Sequence, residues 1–250
     1  MSKTVSLLLM TYNAGENLRS TLDSIEMQDY EFVQVCIADG ASTDDTLDII
    51  RDYKATSKHD VVYVSEKDKG LYDGLNRSIS LATGDYLLVM NDRFTCIDAI
   101  SKLVAAIESD ESYVGAHADL VYADGDRVIR NWHMGNGSIW SGWCPAHPTM
   151  MIKREIYERY GTYRLDYVSA SDYEFMVRFL KDKENRLAYV PEVLVSMYAG
   201  GTSNAGVYNY WRSVMESIRA ICDDGISIAI ALWMTMCRTF RVALQFVRKR

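Results

Sequence analysis

Residues 86–90, Tyr-Leu-Leu-Val-Met, form a continuous apolar run that stops abruptly at Asn91-Asp92-Arg93. A short run with no polar alternation predicts a strand covered on both faces, as in parallel sheets. A helical pattern precedes it: Leu71, Leu75, Ile79 and Ala82 recur at helical spacing, and Thr83-Gly84 is expected to end that helix in the left-handed conformation glycine accepts. The order of loop, helix, tight turn, buried strand and polar tip constrains this chain more than any other feature. In open α/β sheets ligands bind beyond the carboxyl ends of the strands, so an acidic tip there is a place to hold a metal or a phosphate-bearing ligand.

The same unit repeats upstream. Residues 5–10 read as a strand, 11–15 as a turn, and Leu18, Leu22 and Ile25 as one helix face. Residues 32–38 read as a second strand ending in Asp39-Gly40-Ala41-Ser42-Thr43-Asp44, where Ser42 or Thr43 is a candidate helix cap. Leu47, Ile50 and Tyr53 mark the helix that follows, and residues 61–64 a third strand. Strands alternating with such helices predict βαβ units and a largely parallel sheet.

Beyond the tip, Ile97, Ile100, Leu103, Val104 and Ile107 mark another helix. Residues 114–122 and 127–131 flank the turn sequence Ala123-Asp124-Gly125-Asp126 and predict a hairpin. Residues 132–143 form a loop rich in Gly and Trp, of a length that is usually functional when ordered. Further on come Cys144-Pro145-Ala146-His147-Pro148, an apolar stretch over 149–152 and a short helix over 153–160. Ser169 to Glu174 opens a helix buried through Phe175, Phe179 and Leu180. Two short strands, 187–190 and 193–198, are expected around Pro191, with a loop at Gly200-Gly201-Thr202-Ser203-Asn204.

The net charge of −7 argues against a nucleic-acid partner, because non-specific binding rests on neutralising phosphates with Lys and Arg. Five widely spaced cysteines without a C-x-x-C fit reduced thiols in a cytosolic protein better than a disulfide frame or a zinc site. No signal peptide is read at the N-terminus. The C-terminal stretch differs in kind. Residues 208–222 read as helical, and residues 226–237 are almost wholly apolar, about half of the ~20 residues a membrane span needs. The basic, amphipathic run after them, with Arg238, Arg241, Arg248, Lys249 and Arg250, reads as a helix lying in a membrane surface. The plainer reading is a core-packing helix with a solvated basic end.

Several single residues invite chemistry. Asp39 after the second strand has the position of a ribose-binding carboxylate, or of a turn with a helix cap. Neither G-x-G-x-x-G nor G-x-x-x-x-G-K-[ST] is present. Asp172 is either an N-cap or a general base near the positive end of a helix. His147 sits between two prolines with no Ser or Cys nucleophile signature beside it.

Taken together, the motifs resemble those of the inverting family 2 glycosyltransferases of GT-A fold, particularly the bacterial branch that builds surface polysaccharides such as O-antigen, capsule and exopolysaccharide. The resemblance covers roughly residues 3–205 and matches in order and spacing. It rests on the segments at 5–13, 39–46, 65–73 with Asn76, 82–86, His147-Pro148-Thr149, 170–175 and 200–203. It implies an α/β, Rossmann-like nucleotide-diphospho-sugar transferase fold with a mostly parallel central sheet and flanking helices, followed by a C-terminal amphipathic helical tail. Residues 1–95 would form the nucleotide-binding half, 96–205 the acceptor-binding half, and 206–250 a membrane-associating segment.

The resemblance also implies roles. Thr11, Tyr12 and Asp39 would hold uracil and ribose, and Asp68 would line the same pocket, with Asn91 and Arg93 at its edge. An acidic strand-end motif would coordinate Mg²⁺ or Mn²⁺ on the diphosphate. Asp172 would deprotonate the acceptor hydroxyl. His147, Trp140 and Trp143 would lie on the acceptor side. The expected donor is a UDP-sugar, the acceptor a lipid-linked oligosaccharide, and the location the cytoplasmic face of the membrane. The sequence departs from the family at the acidic motif: counted without gaps from Gly84, the family's acidic positions fall on Arg93 and Phe94. A two-residue deletion after Asn91 makes Asp92 the metal ligand. Without it, Arg93 would neutralise the diphosphate in place of a metal, or the site would be crippled. Two alternatives follow: a nucleotidyltransferase, whose basic Gly-rich N-terminal loop is not seen at 11–15, and a non-catalytic carbohydrate-binding or scaffold protein.

Overall fold

The structure, a computed structural model, describes residues 3–125, 127–198 and 206–247. The expected loop at 200–204, the turn residue Asp126, and Arg248, Lys249 and Arg250 lie outside the described residues, as does the boundary expected at 205.

The first half is a regular alternation: β1 (Val5–Thr11), α1 (Gly15–Glu26), β2 (Val33–Asp39), α2 (Thr46–Thr56), β3 (Asp60–Ser65), α3 (Leu71–Leu81) and β4 (Tyr86–Val89). The order β3-β2-β1-β4 is parallel throughout, as the alternation predicts. Along β1 the pleat separates two cores. Val5, Leu7 and Leu9 pack with Leu22 of α1 and Ile50 of α2, while Leu8 packs on the other face with Leu75 of α3.

The second half is mixed. It comprises β5 (Arg93–Phe94), α4 (Ala99–Glu108), β6 (Tyr113–Asp124), β7 (Arg127–Trp132), β8 (Met151–Lys153), α5 (Arg154–Tyr160), α6 (Ser171–Leu180) and β9 (Arg186–Tyr198). The sheet continues from β4 through β8, β6 and β9 to β5, with β7 hydrogen-bonded to β6. β8 runs antiparallel to both β4 and β6, and β6 and β9 are parallel. The two strands expected around Pro191 are one strand, β9. Its register with β6 shifts between the pairs Ala118–Val190 and Asp119–Val193, because proline has no N–H to give the ladder.

Two local expectations are corrected. Leu71 lies 51% exposed, since α3 turns Tyr72, Leu75 and Ser78 inward instead. Gly84 does not use a left-handed conformation; α3 ends at Ala82 in extended backbone. Its role is space: a Cβ there would stand 2.8 Å from the Ser6 nitrogen and 2.8 Å from the Thr4 carbonyl oxygen.

Two long helices, α7 (Gly206–Asp223) and α8 (Ile228–Val247), complete the chain. They pack onto α6 through a third core in which Tyr173 and Val177 meet Ala220, Ile221, Ala231 and Met234. All five cysteines are free.

Candidate active site

The parallel register places Thr11 beside Asp39 and Asp39 beside Ser65, at the carboxyl ends of β1, β2 and β3. Asp39 is 2% exposed and accepts four hydrogen bonds. Thr11 Oγ1 (3.0 Å) and Ser42 Oγ (2.5 Å) donate to Oδ1; the Ser42 N–H (3.0 Å) and Ser65 Oγ (2.7 Å) donate to Oδ2. Burial pushes this carboxyl up, but the donors from Ser42, Ser65 and Thr11 outweigh it and hold Asp39 below the ordinary carboxylate range. Four donors occupy essentially the whole acceptor capacity of a carboxylate, so Asp39 fixes the loop that follows β2. Ser42 is thus committed to Asp39 and to the Asn13 N–H; neither it nor Thr43 caps α2.

Tyr12 projects from the loop between β1 and α1, 65% exposed, as a ring with an open face. A Cβ on Gly40 would meet Asp68 Oδ2 at 2.6 Å and the Tyr12 ring at 3.4 Å, so Tyr12 and Asp68 face each other across it. Asp68 Oδ1 accepts the Gly70 N–H at 2.9 Å. The β1–α1 and β2–α2 loops are tied by bonds from the Thr43 N–H to Asn13 Oδ1 and from the Ala14 N–H to Thr46 Oγ1. The structure therefore brings Thr11, Tyr12, Asp39 and Asp68 into one strand-end cleft.

At the tip after β4 the three residues separate. Asn91 Oδ1 accepts the Met10 N–H at 3.1 Å, closing the gap between β1 and β4. Arg93 donates to the Gly125 carbonyl at 2.8 Å, its guanidinium 5.6 Å from the centre of the Tyr198 ring. Asp92 is 9% exposed and accepts one hydrogen bond, from the Tyr198 N–H at 3.2 Å. Burial raises its carboxyl to about 6, against the partial opposition of that N–H. No group of three His, Cys, Asp or Glu that could hold a metal occurs among the described residues. Asp92 fits a divalent cation as one ligand only: such cations commonly take one or two carboxylates and complete their shell with substrate phosphates and water.

A separate cavity of about 490 Å³ opens between β6, the loop after β7, α6 and the two C-terminal helices. Asp172 lines it. It is the second residue of α6, not its cap, which is Ala170. Tyr72 Oη donates to Asp172 Oδ1 at 3.1 Å. Tyr72 stacks on Tyr163, with centroids 6.0 Å apart, and Tyr163 Oη meets His147 Nε2 at 2.7 Å and Tyr157 Oη at 2.9 Å. Burial holds the His147 imidazole below its ordinary value, with Asp172 opposing. One aromatic network thus positions both Asp172 and His147 at the cavity.

The tryptophans divide. Trp143 lines the cavity but is only 6% exposed, and its Nε1–H is shared between the Met134 and Gly135 carbonyls at 3.0 Å each, which pins the loop. Trp132 lines the cavity stacked on Tyr122. Trp140 lies outside that lining, on the short turn Ile139–Ser141.

Three features of the cavity were missed in the sequence. Nothing in the local sequence marks Tyr72 and Tyr163 as the supports of Asp172 and His147. His133 also lines the wall, with Nδ1 2.8 Å from the buried Asp119, which further accepts the Met134 N–H and Tyr189 Oη. Arg238 and Arg241 of α8 face the cavity as well. A readable signal existed for the last pair. Ile228, Leu232, Met236 and Phe240 recur every four residues, so residues 238 and 241 fall off that stripe.

The family model described as Glycosyl transferase family 2 matches residues 6–181, more than half of the chain. A PGL/p-HBAD biosynthesis glycosyltransferase of Mycobacterium bovis is 28% identical over 212 residues, covering 80% of this chain and 78% of that protein. An uncharacterized glycosyltransferase of Haemophilus influenzae is 24% identical, covering 89% of this chain and 73% of its own length. Among solved structures, the mannosyltransferase PcManGT from Pyrobaculum calidifontis, in complex with GDP-Man and Mn²⁺, superposes with a TM-score of 0.65 at 20% identity, covering 100% of this chain and 77% of its own. TarS from S. aureus in complex with UDP-GlcNAc gives 0.69 at 17% identity, with 93% and 70% covered.

Proposed function

The chain belongs to glycosyl transferase family 2, with a GT-A-like α/β fold, and on that premise we propose that it moves a sugar from a UDP-sugar to a hydroxyl of a lipid-linked saccharide, inverting the anomeric configuration, in bacterial surface-polysaccharide assembly. The observation that carries this reading is the placement of Asp172. It lies at a cavity wall, held through one oxygen by Tyr72, beside aromatic faces of the kind that pack on sugar C–H groups.

The nucleoside is assigned to the strand-end cleft, with Tyr12 against the base and Asp68 opposite it. Thr11 and Asp39 keep that cleft in shape. The acceptor enters the cavity of Asp172. Its hydroxyl proton passes to Asp172 Oδ2 as the hydroxyl oxygen bonds to the anomeric carbon. The bond from that carbon to the diphosphate oxygen breaks with its electron pair, so attack and departure occur on opposite faces. Such base catalysis contributes about 10²–10⁴-fold. Asp92 would hold a Mn²⁺ or Mg²⁺ ion, which when bound neutralises charge developing on the leaving diphosphate. Family membership sets aside the nucleotidyltransferase alternative, and the positioned Asp172 speaks against a non-catalytic protein.

Calorimetry with UDP-, GDP- and dTDP-sugars, each with Mn²⁺ and with EDTA, tests the donor side. The expected result is binding of a UDP-sugar that weakens about tenfold or more in EDTA and in Asp92→Asn. Equal affinity in EDTA would remove Asp92 from the metal and leave the diphosphate to protein cations. Failure of every donor would end the reading.

Contact with a membrane surface is supported by α8; the cytoplasmic face is part of the same proposal. Ile228, Leu232, Met236 and Phe240 form an exposed apolar stripe, with Trp233 at its side. None of the described helices is long and apolar enough to cross a membrane. The exposed stripe itself fits a helix resting in the interface. The basic residues contribute differently from the sequence expectation, since Arg238 and Arg241 turn to the cavity. Replacing Trp233 and Phe240 together by Ser should abolish co-flotation with anionic liposomes; undiminished flotation would refute the membrane contact.

A further inference from the structure

We propose that the cavity of Asp172 recognises an acceptor carrying an anionic group, a carboxylate or a phosphate, through Arg238 and Arg241 of α8. The proposal rests on the reading of this cavity as the acceptor side.

The charge balance of the cavity is the first observation. In a chain of net charge −7, its lining holds two guanidinium groups and a single carboxylate, Asp172. The second is that these guanidinium groups are held but not neutralised. Arg164, Arg178 and Arg219 are all ion-paired. Arg238 and Arg241 pair with no carboxylate among the described residues. Arg238 lies over the Tyr173 ring, 4.0 Å from its centre, and Nη1 donates to Ser217 Oγ at 3.2 Å. Arg241 donates from Nε to the Ser141 carbonyl at 3.3 Å and from Nη2 to Ser141 Oγ at 3.4 Å. These contacts are all neutral, and they fix the two forks while leaving N–H groups over, since each guanidinium carries five. A preorganised guanidinium matches the two oxygens of a carboxylate or phosphate.

The anion is placed on the acceptor and not on the donor diphosphate by position. Tyr12, Asp68 and Asp92, which mark the donor side, are absent from this lining, and α8 reaches the cavity by packing on α7 and on the turn Ile139–Ser141. Tyr173, on which Arg238 rests, directly follows Asp172 in α6, so the anion would sit near the reacting hydroxyl. A charged sugar of the acceptor, or the phosphate that joins a saccharide to its lipid, both supply this chemistry.

The test is ligand binding by the full chain, followed by intrinsic tryptophan fluorescence, to which Trp132 and Trp143 of the cavity contribute. Three probes share one octyl tail: octyl glucoside, octyl glucuronide and octyl phosphate. UDP is titrated in parallel. Wild-type protein is expected to bind at least one anionic probe roughly tenfold or more tightly than octyl glucoside, and Arg241→Gln to remove that preference while leaving octyl glucoside unchanged. Preference for the glucuronide alone indicates a charged sugar; preference for the phosphate alone indicates the lipid linkage. Arg241 is exposed and makes only two marginal bonds, so its variant keeps the fold, and Arg238→Lys, which keeps the charge, should retain part of the preference. Equal binding of all three probes, or equal loss of all three in Arg241→Gln, overturns the proposal. If UDP binds while the anionic preference is missing, this inference fails alone; if UDP also fails, the transferase reading fails with it.

Discussion

Asp172→Asn should lower kcat by about 10²–10⁴-fold while leaving nucleotide-sugar affinity and thermal stability close to wild type. The substitution isolates one property. Asn keeps the shape and an oxygen that accepts from Tyr72 Oη, so the link to the stacked Tyr72–Tyr163 pair survives. What is lost is the ability to take a proton from the acceptor. The cleft proposed for the donor is built from the ends of β1, β2 and β3 and shares no residue with the lining around Asp172, so donor binding is a clean control. Tyr72→Phe should give a smaller loss, because it frees the carboxylate without removing it. The measurement is initial rate of nucleotide release at saturating donor, beside a calorimetric donor titration. Full activity of Asp172→Asn would transfer the base to another group, with His133 and its buried Asp119 partner the next in the same cavity.

Gly142→Ala should detach α8 from the domain. Gly142 has φ of 70°, and a Cβ there would lie 2.5 Å from both the Arg238 nitrogen and the Met234 carbonyl oxygen, and 2.8 Å from Cys237 Cβ. Two of these are backbone atoms of α8, which cannot turn aside as a side chain would. Overpacking of this kind costs about 1–3 kcal/mol, and a left-handed alanine adds about 1–2 kcal/mol. At roughly 2–4 °C per kcal/mol for a chain of this size, melting should fall by about 4–20 °C. Because α8 supplies one wall of the cavity, transfer to an acceptor should fall with it, while donor binding persists. Limited proteolysis checks the geometry: cleavage should become fast within residues 226–247. An unchanged melting point and cleavage pattern would show that α8 is not anchored there.

Both results turn on contacts between distant parts of the chain, and there the sequence and the structure part company. The apolar runs at 5–10, 32–38 and 86–90 correspond to β1, β2 and β4, because an uninterrupted apolar run can be satisfied only by cover on both faces. Leu71 shows the limit of the same logic. Spacing tells which residues share a helix face, but not how far around the helix the neighbours reach, and α3 turns Leu71 out. Gly84 and Gly142 look alike as glycines in turns. Only the packing shows that one makes room for the Ser6 backbone and the other for the backbone of α8. Trp140 and Trp143 stand three residues apart in one aromatic loop, yet one turn of 3₁₀ helix places only Trp143 at the cavity.

By itself the sequence determined the alternating α/β order, the strand ends that carry Thr11, Asp39 and Asp92, and the family, since those follow from local periodicity and from motifs of fixed spacing. The tertiary structure alone decided the rest. It made Asp39 a saturated hub of the loop, held Asp172 through a tyrosine 100 residues away, and turned the arginines of α8 onto the cavity and away from the apolar stripe. The physical reason is common to all three: a side chain's charge, its hydrogen-bond partners and its exposure depend on what the fold brings against it, and no local pattern encodes a partner that far along the chain.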